Sequence, residues 1–198
     1  MVSASWIVPT VNASTSSTYS AIWIGIGGAG NDTTLIQCGT EQDSIIGTTI
    51  YYAWYELLPG NSIRIGAVSA GDEIQATIQL ANLTTNQWAI NITDVTNAET
   101  FQRTFTYNSS QLTADWIIER PTLESFGHSQ FSPLADFETA TFTNCTATIG
   151  LDTGYISSFY PQVFTMSSTS TSGAVELTDV SDLASDGSSF TVTWLAAG

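Results

Sequence analysis

Residues 74–80, Ile-Gln-Ala-Thr-Ile-Gln-Leu, decide the fold class of this 198-residue chain. Apolar and polar side chains alternate strictly along the stretch, and a period of two is typical of a β-strand with one buried face. Helical periodicity is almost absent elsewhere, so the sequence predicts an all-β protein. Comparable alternating runs cover residues 19–26, 33–38, 50–57, 88–95, 101–107, 114–119, 137–149 and 190–195.

Short turn signals separate these runs, as expected for strands that reverse direction repeatedly. Many short strands joined by short turns predict an antiparallel sandwich or barrel. Hydrophobic residues make up 42% of the chain and aromatic residues 11%, which is enough apolar surface for one substantial core. We therefore expect a single domain over residues 1–198. The turn signals are Gly27-Gly28, Pro59-Gly60-Asn61, Gly71-Asp72, Asn108-Ser109 and Gly187-Ser188.

The charge balance excludes several classes of partner. The chain has 18 acidic residues against three arginines (Arg64, Arg103 and Arg120) and no lysine, so its net charge is −15 and its pI about 4.1. Such a surface repels phosphate backbones and anionic lipids, so we expect neither nucleic-acid nor membrane binding. The absence of lysine also excludes Schiff-base and P-loop chemistry.

Three short motifs suggest chemistry that their surroundings do not support. Gly25, Gly27 and Gly30 match a dinucleotide-binding loop, but loop and strand follow where a helix is needed. Asp152-Thr153-Gly154 matches the triplet of pepsin-like proteases, which need two such carboxylates, so we interpret it as a turn. Gly127-His128-Ser129 lacks a nucleophile elbow and is interpreted as a loop. No convincing spacing of metal ligands is present.

Strand parity brings a more informative set of residues together. If their strands share one sheet, a single face would present large aromatic side chains beside an amide and two carboxyl groups. Such a face is suited to an extended ligand. Its members would be Trp23, Gln37, Trp54, Glu56 and Glu119.

Four segments resemble, in order, the glutamic peptidases (eqolisins), and a fifth, residues 137–144, resembles the strand after that family's catalytic glutamate. The matching blocks span residues 19–149. The resemblance implies a concanavalin- or lectin-like jelly roll, a sandwich of two antiparallel sheets with about seven strands each. It also implies an acid-acting endopeptidase. The four segments are Trp23-Ile24-Gly25-Ile26, Leu35-Ile36-Gln37-Cys38-Gly39, Ala53-Trp54-Tyr55-Glu56 and Ala114-Asp115-Trp116-Ile117-Ile118-Glu119.

Carried over by position, the resemblance implies that Gln37 and Glu119 are catalytic. An ionised Glu can accept a proton from the attacking water and return it to the leaving amine. A Gln amide offers an acceptor for the water and a donor for the oxyanion, and it does not titrate. We expect activity between about pH 2 and pH 4, close to or below the ordinary Glu pKa of about 4.3. Substrate-binding positions would be Trp23, Trp54, Glu56 and Glu41.

The sequence departs from the family pattern at three acidic positions. Gly27 stands where the family often has Asp, Glu41 replaces an Asp, and Thr122 replaces an acidic residue. The catalytic pair is retained, so the departures bear on specificity and on the pKa of Glu119. We expect an extracellular, monomeric, pepstatin-insensitive enzyme that needs no cofactor or metal and binds a polypeptide.

Two other functions and one structural question stay open at this point. A lectin-like carbohydrate-binding sandwich would use Trp23 and Trp54 to stack on sugar rings, and a non-catalytic structural domain would leave Gln37 unexplained. The sequence does not decide whether Cys38 and Cys145 form a disulfide. Because uncompensated carboxylates repel at neutral pH, we expect lower stability at pH 8 than at pH 4.

Overall fold

The computed structural model describes residues 1–125, 128–170 and 173–198 of the chain. Nearly all regular structure in these ranges is strand, with one short 3-10 helix at Ile156–Phe159, so the all-β prediction is confirmed. The strands are β1 Val2–Ile7, β2 Ala21–Gly27, β3 Leu35–Ile45, β4 Thr48–Leu57, β5 Ile63–Ala67, β6 Glu73–Asn82, β7 Gln87–Asp94, β8 Glu99–Thr106, β9 Ala114–Glu119, β10 Thr122–Ser125, β11 His128–Phe131, β12 Thr139–Ile149, β13 Asp152–Tyr155, β14 Ser167–Ser170, β15 Gly173–Glu176, β16 Thr178–Val180 and β17 Phe190–Trp194.

Two antiparallel sheets carry most of these strands. The larger follows the order β16-β17-β12-β1-β6-β7-β8, with β13 added beside β12, and the smaller follows β5-β4-β3-β2-β9. Two separate hairpins, β10–β11 and β14–β15, complete the described strands. The sandwich is confirmed, but its two sheets hold eight and five of the described strands rather than about seven each.

The core lies between the two sheets and follows from the alternation in the sequence. Ile74, Ala76 and Ile78 of β6 are buried against the isoleucines of β2, of which Ile22 and Ile24 are also buried. Burying each isoleucine side chain contributes about 1.5–3 kcal/mol, so a shift of one residue in either strand would be strongly unfavourable. The core therefore fixes which residues of the smaller sheet face outward.

Two tryptophans tie the sheets together through hydrogen bonds. Trp6 of β1 donates its indole N–H to Thr40 Oγ1 of β3 at 3.0 Å, and Trp116 of β9 donates to the Ser3 carbonyl of β1 at 2.9 Å. A buried indole combines a large apolar area with a single donor that needs an acceptor. These bonds hold β3 and β9 in place behind the outward-facing residues.

Two sequence interpretations of loops are wrong. His128 and Ser129 belong to β11, paired with β10, while Gly127 lies outside the described residues. Residues 152–154 begin β13 rather than forming a turn, because Gly150, with φ 65°, makes the reversal just before them.

Two further observations bear on cysteine chemistry and on membranes. Cys38 and Cys145 are both buried free thiols rather than a disulfide. No helix within the described ranges is long and apolar enough to cross a bilayer.

Candidate functional site

The outer face of the five-stranded sheet carries all six predicted site residues. Strand pairing arranges them in three rows that run across the sheet. The five residues that strand parity assigned to one face lie on it, and so does Glu41, which only the resemblance had indicated. The rows are Asp115–Gly25–Gln37–Glu56, Ile117–Trp23–Gly39–Trp54–Arg64 and Glu119–Ala21–Glu41–Tyr52–Ala67. We call this surface the outer face.

The two tryptophans of the middle row pack closely because a glycine separates them. A Cβ on Gly39 would lie 2.0 Å from the Ile22 carbonyl oxygen and 2.6 Å from the Trp23 Cβ. Trp23 and Trp54 are each 6% exposed and form a small apolar cluster with Leu35. The middle of the outer face is therefore a dry aromatic floor with polar rows on either side.

Gln37 lies beside that floor, and within the described residues the nitrogen of its side-chain amide, but not the oxygen, makes a hydrogen bond. Its Nε2 donates to Glu56 Oε2 of β4 at 2.6 Å. Its Oε1 is buried and has no hydrogen-bond partner among the described residues. An amide nitrogen has two hydrogens, so one N–H and the carbonyl oxygen of Gln37 stay available.

Glu119 ends β9 and is held by Trp23. The indole Nε1 donates to Glu119 Oε2 at 2.8 Å. Burial raises the pKa of Glu119 above its ordinary value; the indole N–H opposes that change, and the nearby charge of Glu56 adds to it. The tryptophan fixes one carboxyl oxygen and leaves the other for a reactant.

Electrostatic contacts link Glu119 to the neighbouring rows. Its carboxyl interacts with Glu56, the partner of Gln37, and with Glu41 on β3. Burial also raises the pKa of Glu56, and the hydrogen bond from Gln37 opposes that rise. Gln37 and Glu119 therefore belong to one cluster of polar groups, centred on Trp23.

Glu41 forms a carboxyl pair with Asp43, a residue that sequence reasoning missed. Burial raises the pKa of Glu41 to about 9, helped by the charge of Asp43, and burial raises the pKa of Asp43 to about 7. Asp43 is two residues beyond Glu41 in β3, so strand parity alone would have placed it on the same face. Through most of the acidic range both groups are neutral.

Asp115 is a second carboxyl group that the sequence reasoning did not assign to the site. It lies across Gly25 from Gln37, and Thr113 Oγ1 donates to it at 3.1 Å. Burial raises its pKa to about 6, against the effect of that hydrogen bond. Gln37 thus has a carboxyl group on either side in its row.

The structure explains why position 27 lacks a side chain. Gly27 has φ +92°, and a Cβ there would meet the Thr34 carbonyl oxygen at 2.4 Å. The same Cβ would lie 3.0 Å from Asp32 Oδ2, which accepts hydrogen bonds from the Gly28 N–H and from Ser110. Asp32 therefore places a carboxylate in the space that a side chain at position 27 would occupy.

Thr122, the third departure, is an exposed residue at the start of β10, paired with Phe131. It contributes no charge to the cluster around Glu119. Among the described residues, no group of three or more His, Cys, Asp or Glu side chains is arranged to hold a metal ion.

Comparisons with known proteins agree on one family. The sequence model described as the peptidase A4 family matches residues 1–194. Aspergillopepsin-2 from Aspergillus niger is 31% identical over 134 residues, covering 65% of this chain and 45% of that protein. The chain spans about half the length of the curated relatives it matches.

Solved structures give the same result. Aspergilloglutamic peptidase from Aspergillus niger is 29% identical, with a TM-score of 0.73 over 90% of this chain and 99% of that chain. Scytalido-glutamic peptidase, solved with a peptide-based transition state analog, is 25% identical, with a TM-score of 0.81 over 98% of this chain and 91% of that chain.

Proposed function

Because the chain belongs to the peptidase A4 family, we propose that it is a glutamic endopeptidase that hydrolyses peptide bonds in polypeptides under acidic conditions. Gln37 and Glu119 are the catalytic residues, and water is the nucleophile. One observation carries the assignment: Glu119, oriented by the Trp23 indole, shares its face with a Gln37 amide whose oxygen is unpartnered among the described residues.

The proposed reaction uses Glu119 twice. As a carboxylate it accepts a proton from water while the water oxygen bonds to the scissile carbonyl carbon. As a carboxylic acid it then donates that proton to the leaving nitrogen as the C–N bond breaks. The products are a carboxylic acid and an amine, and Glu119 is again a carboxylate.

Gln37 acts on the oxygen atoms of the reaction. Its free Oε1 accepts a hydrogen bond from the attacking water, and its second N–H donates to the oxyanion that forms from the carbonyl. One such donor is worth about 3 kcal/mol in the transition state. Glu56 holds the amide in this orientation through the other N–H.

The raised pKa of Glu119 refines the expected pH range. A general base must be ionised, so the acidic limb of the rate profile follows the pKa of Glu119. Burial moves that pKa above the ordinary Glu value, so activity should extend above the pH 2–4 range that an unperturbed Glu would give.

Substrate binding is assigned to the remainder of the outer face. The aromatic floor of Trp23 and Trp54 supports an extended polypeptide, with Glu41 and Glu56 beside it. Scytalido-glutamic peptidase binds a peptide-based analog, which supports a polypeptide as the ligand here. The proposal includes an extracellular, monomeric protein, insensitive to pepstatin, that needs no cofactor.

Proteolysis of an acid-denatured protein tests this function. Wild type should cleave denatured casein at pH 3–5 with and without pepstatin, whereas a folded Glu119→Gln variant should not. Glu176→Gln, on exposed β15, is the matched control and should cleave like wild type. The carbohydrate-binding alternative is disfavoured by family membership; glycan binding without any proteolysis would instead support it and refute the peptidase assignment.

A further inference from the structure

Arg64 is a cation on an otherwise acidic outer face. It lies in β5 opposite Trp54, and a bulge in the β4–β5 ladder sets this pairing. Its Cζ is 4.7 Å from the centroid of the Tyr52 ring, also on the outer face. The other two arginines stack elsewhere, Arg103 on Phe105 and Arg120 on Phe131.

The guanidinium group of Arg64 has no ionic partner among the residues that the structure describes. No carboxylate in the described part of the chain forms a salt bridge with it, and the residue is exposed. The Tyr52 ring lies beneath the guanidinium and holds it over the outer face, where the exposed group is accessible to a ligand. A guanidinium fork matches the two oxygens of a carboxylate.

A second unused donor belongs to the residue paired with Arg64. The Trp54 indole Nε1 is buried and has no acceptor among the described residues, although the residue is only 6% exposed. A buried donor without an acceptor is rare in folded proteins. The indole N–H is closed to solvent, so of these two paired residues Arg64 is the one that offers a ligand accessible donors.

The neighbouring carboxyl groups do not compete for this role in acid. Glu41 and Asp43, which interact electrostatically with the Tyr52 hydroxyl, have raised pKa values of about 9 and about 7 because they are buried. A carboxyl group on a flexible peptide ionises near pH 4. Near pH 5 the substrate carboxylate is therefore charged while these two neighbours are neutral.

We propose that Arg64 forms a subsite for a substrate carboxylate and is therefore a specificity-determining residue of the enzyme. This inference rests on the proposed peptidase function. The scissile bond lies over β2, between Gln37 on β3 and Glu119 on β9. The guanidinium lies over β4, two strand spacings away, or about 10 Å. At about 3.3 Å per residue, the carboxylate belongs about three residues from the scissile bond.

The test uses peptides that differ only in charge. A neutral reference peptide is digested first, and mass spectrometry identifies its cleaved bond. Asp or Asn then replaces the third residue on either side of that bond. In a further pair of peptides, the chain ends three residues beyond the cleaved bond. One peptide of this pair has a free C-terminal carboxylate and the other has a C-terminal amide. These pairs distinguish an acidic side chain from a terminal carboxylate.

At pH 5, wild type should cleave an Asp peptide, or the free acid, about three- to tenfold better in kcat/KM than its neutral partner. Arg64→Gln should bring that ratio to about one, and Arg64→Lys should keep part of it. Arg103→Gln, which removes the arginine stacked on Phe105 of β8, should keep the wild-type ratio.

Several results would overturn the subsite. Ratios near one in wild type, or an unchanged ratio in Arg64→Gln, would do so while leaving the peptidase function intact. An equal loss in Arg103→Gln would show a general charge effect and would also overturn it. Failure of wild type to cleave the reference peptide would refute the proposed function and the subsite together.

Discussion

Raising the pH from 4 to 8 should destabilise the protein. Part of the decrease in the free energy of unfolding should come from Glu41. Its folded pKa is raised to about 9 by burial and by Asp43, so between its ordinary pKa and pH 7 the folded chain holds a proton that the unfolded chain releases. Stability therefore falls as pH rises through this window.

The size of the loss follows from the proton that Glu41 retains. Each pH unit in the window costs about 1.4 kcal/mol, so the stretch from pH 4.5 to pH 7 amounts to about 3 kcal/mol. For a chain of this size that lowers Tm by roughly 6–12 °C. Hydrogen bonds lower the pKa values of Asp32 and Asp186, so the stability that these two groups contribute is lost only at lower pH.

Thermal melts followed by circular dichroism from pH 4 to pH 8 measure this effect. Wild type should lose Tm steadily, and Glu41→Gln, which mimics the protonated form, should lose about 3 kcal/mol less between pH 4.5 and pH 7. The exposed Glu176→Gln control should melt with the wild-type slope. A Tm that rises across the range, or an unchanged slope in Glu41→Gln, would show that Glu41 does not retain its proton in the folded chain.

Three further outcomes are expected. Trp23→Phe removes the N–H that favours ionised Glu119, so the acidic limb of its kcat/KM–pH profile should move to higher pH; a shift to lower pH would contradict this role. Gly39→Ala forces a Cβ onto a main-chain oxygen of β2 and should lower the free energy of urea unfolding by about 1–3 kcal/mol or more, whereas Gly66→Ala, with open space around it, should not. Because both cysteines are free thiols, dithiothreitol should leave Tm unchanged, and a drop of several degrees would reveal a disulfide.

Alternation in the sequence was sufficient to predict which side chains of each strand point outward. The inward isoleucines of β2 and β6 bury too much apolar area for their strands to shift by one residue. That constraint sends Trp23 outward on β2, and the same parity sends Gln37 outward and Cys38 inward on β3. The outward direction of each side chain on its own strand therefore required no knowledge of distant contacts.

Which strands pair with one another could not be predicted from alternation. Residues 114–119 pair with β2 although about 90 residues separate them, and only this long-range pairing brings Glu119 to Trp23. Local patterns carry no information on such contacts. The resemblance to a family supplied it instead.

The sequence also did not predict where loops and bulges place individual charged side chains. Position 27 looked like a lost carboxylate, yet Asp32 folds back into the same space. Arg64 reaches Tyr52 only because of the bulge in the β4–β5 ladder. Bulges and loop folds depend on backbone geometry, so a motif comparison by position alone misses them.

We expect the Gln37 amide and the Glu119 carboxyl to cleave peptide bonds together. The most direct test of this is kcat/KM for a reference peptide at the pH optimum, in Gln37→Ala and in Gln79→Ala, which removes an exposed Gln from β6 of the other sheet. We expect Gln37→Ala to lose about 10²–10³-fold with Tm close to that of wild type, and Gln79→Ala to match wild type. A folded Gln37→Ala variant with wild-type kcat/KM would show that Gln37 has no part in catalysis.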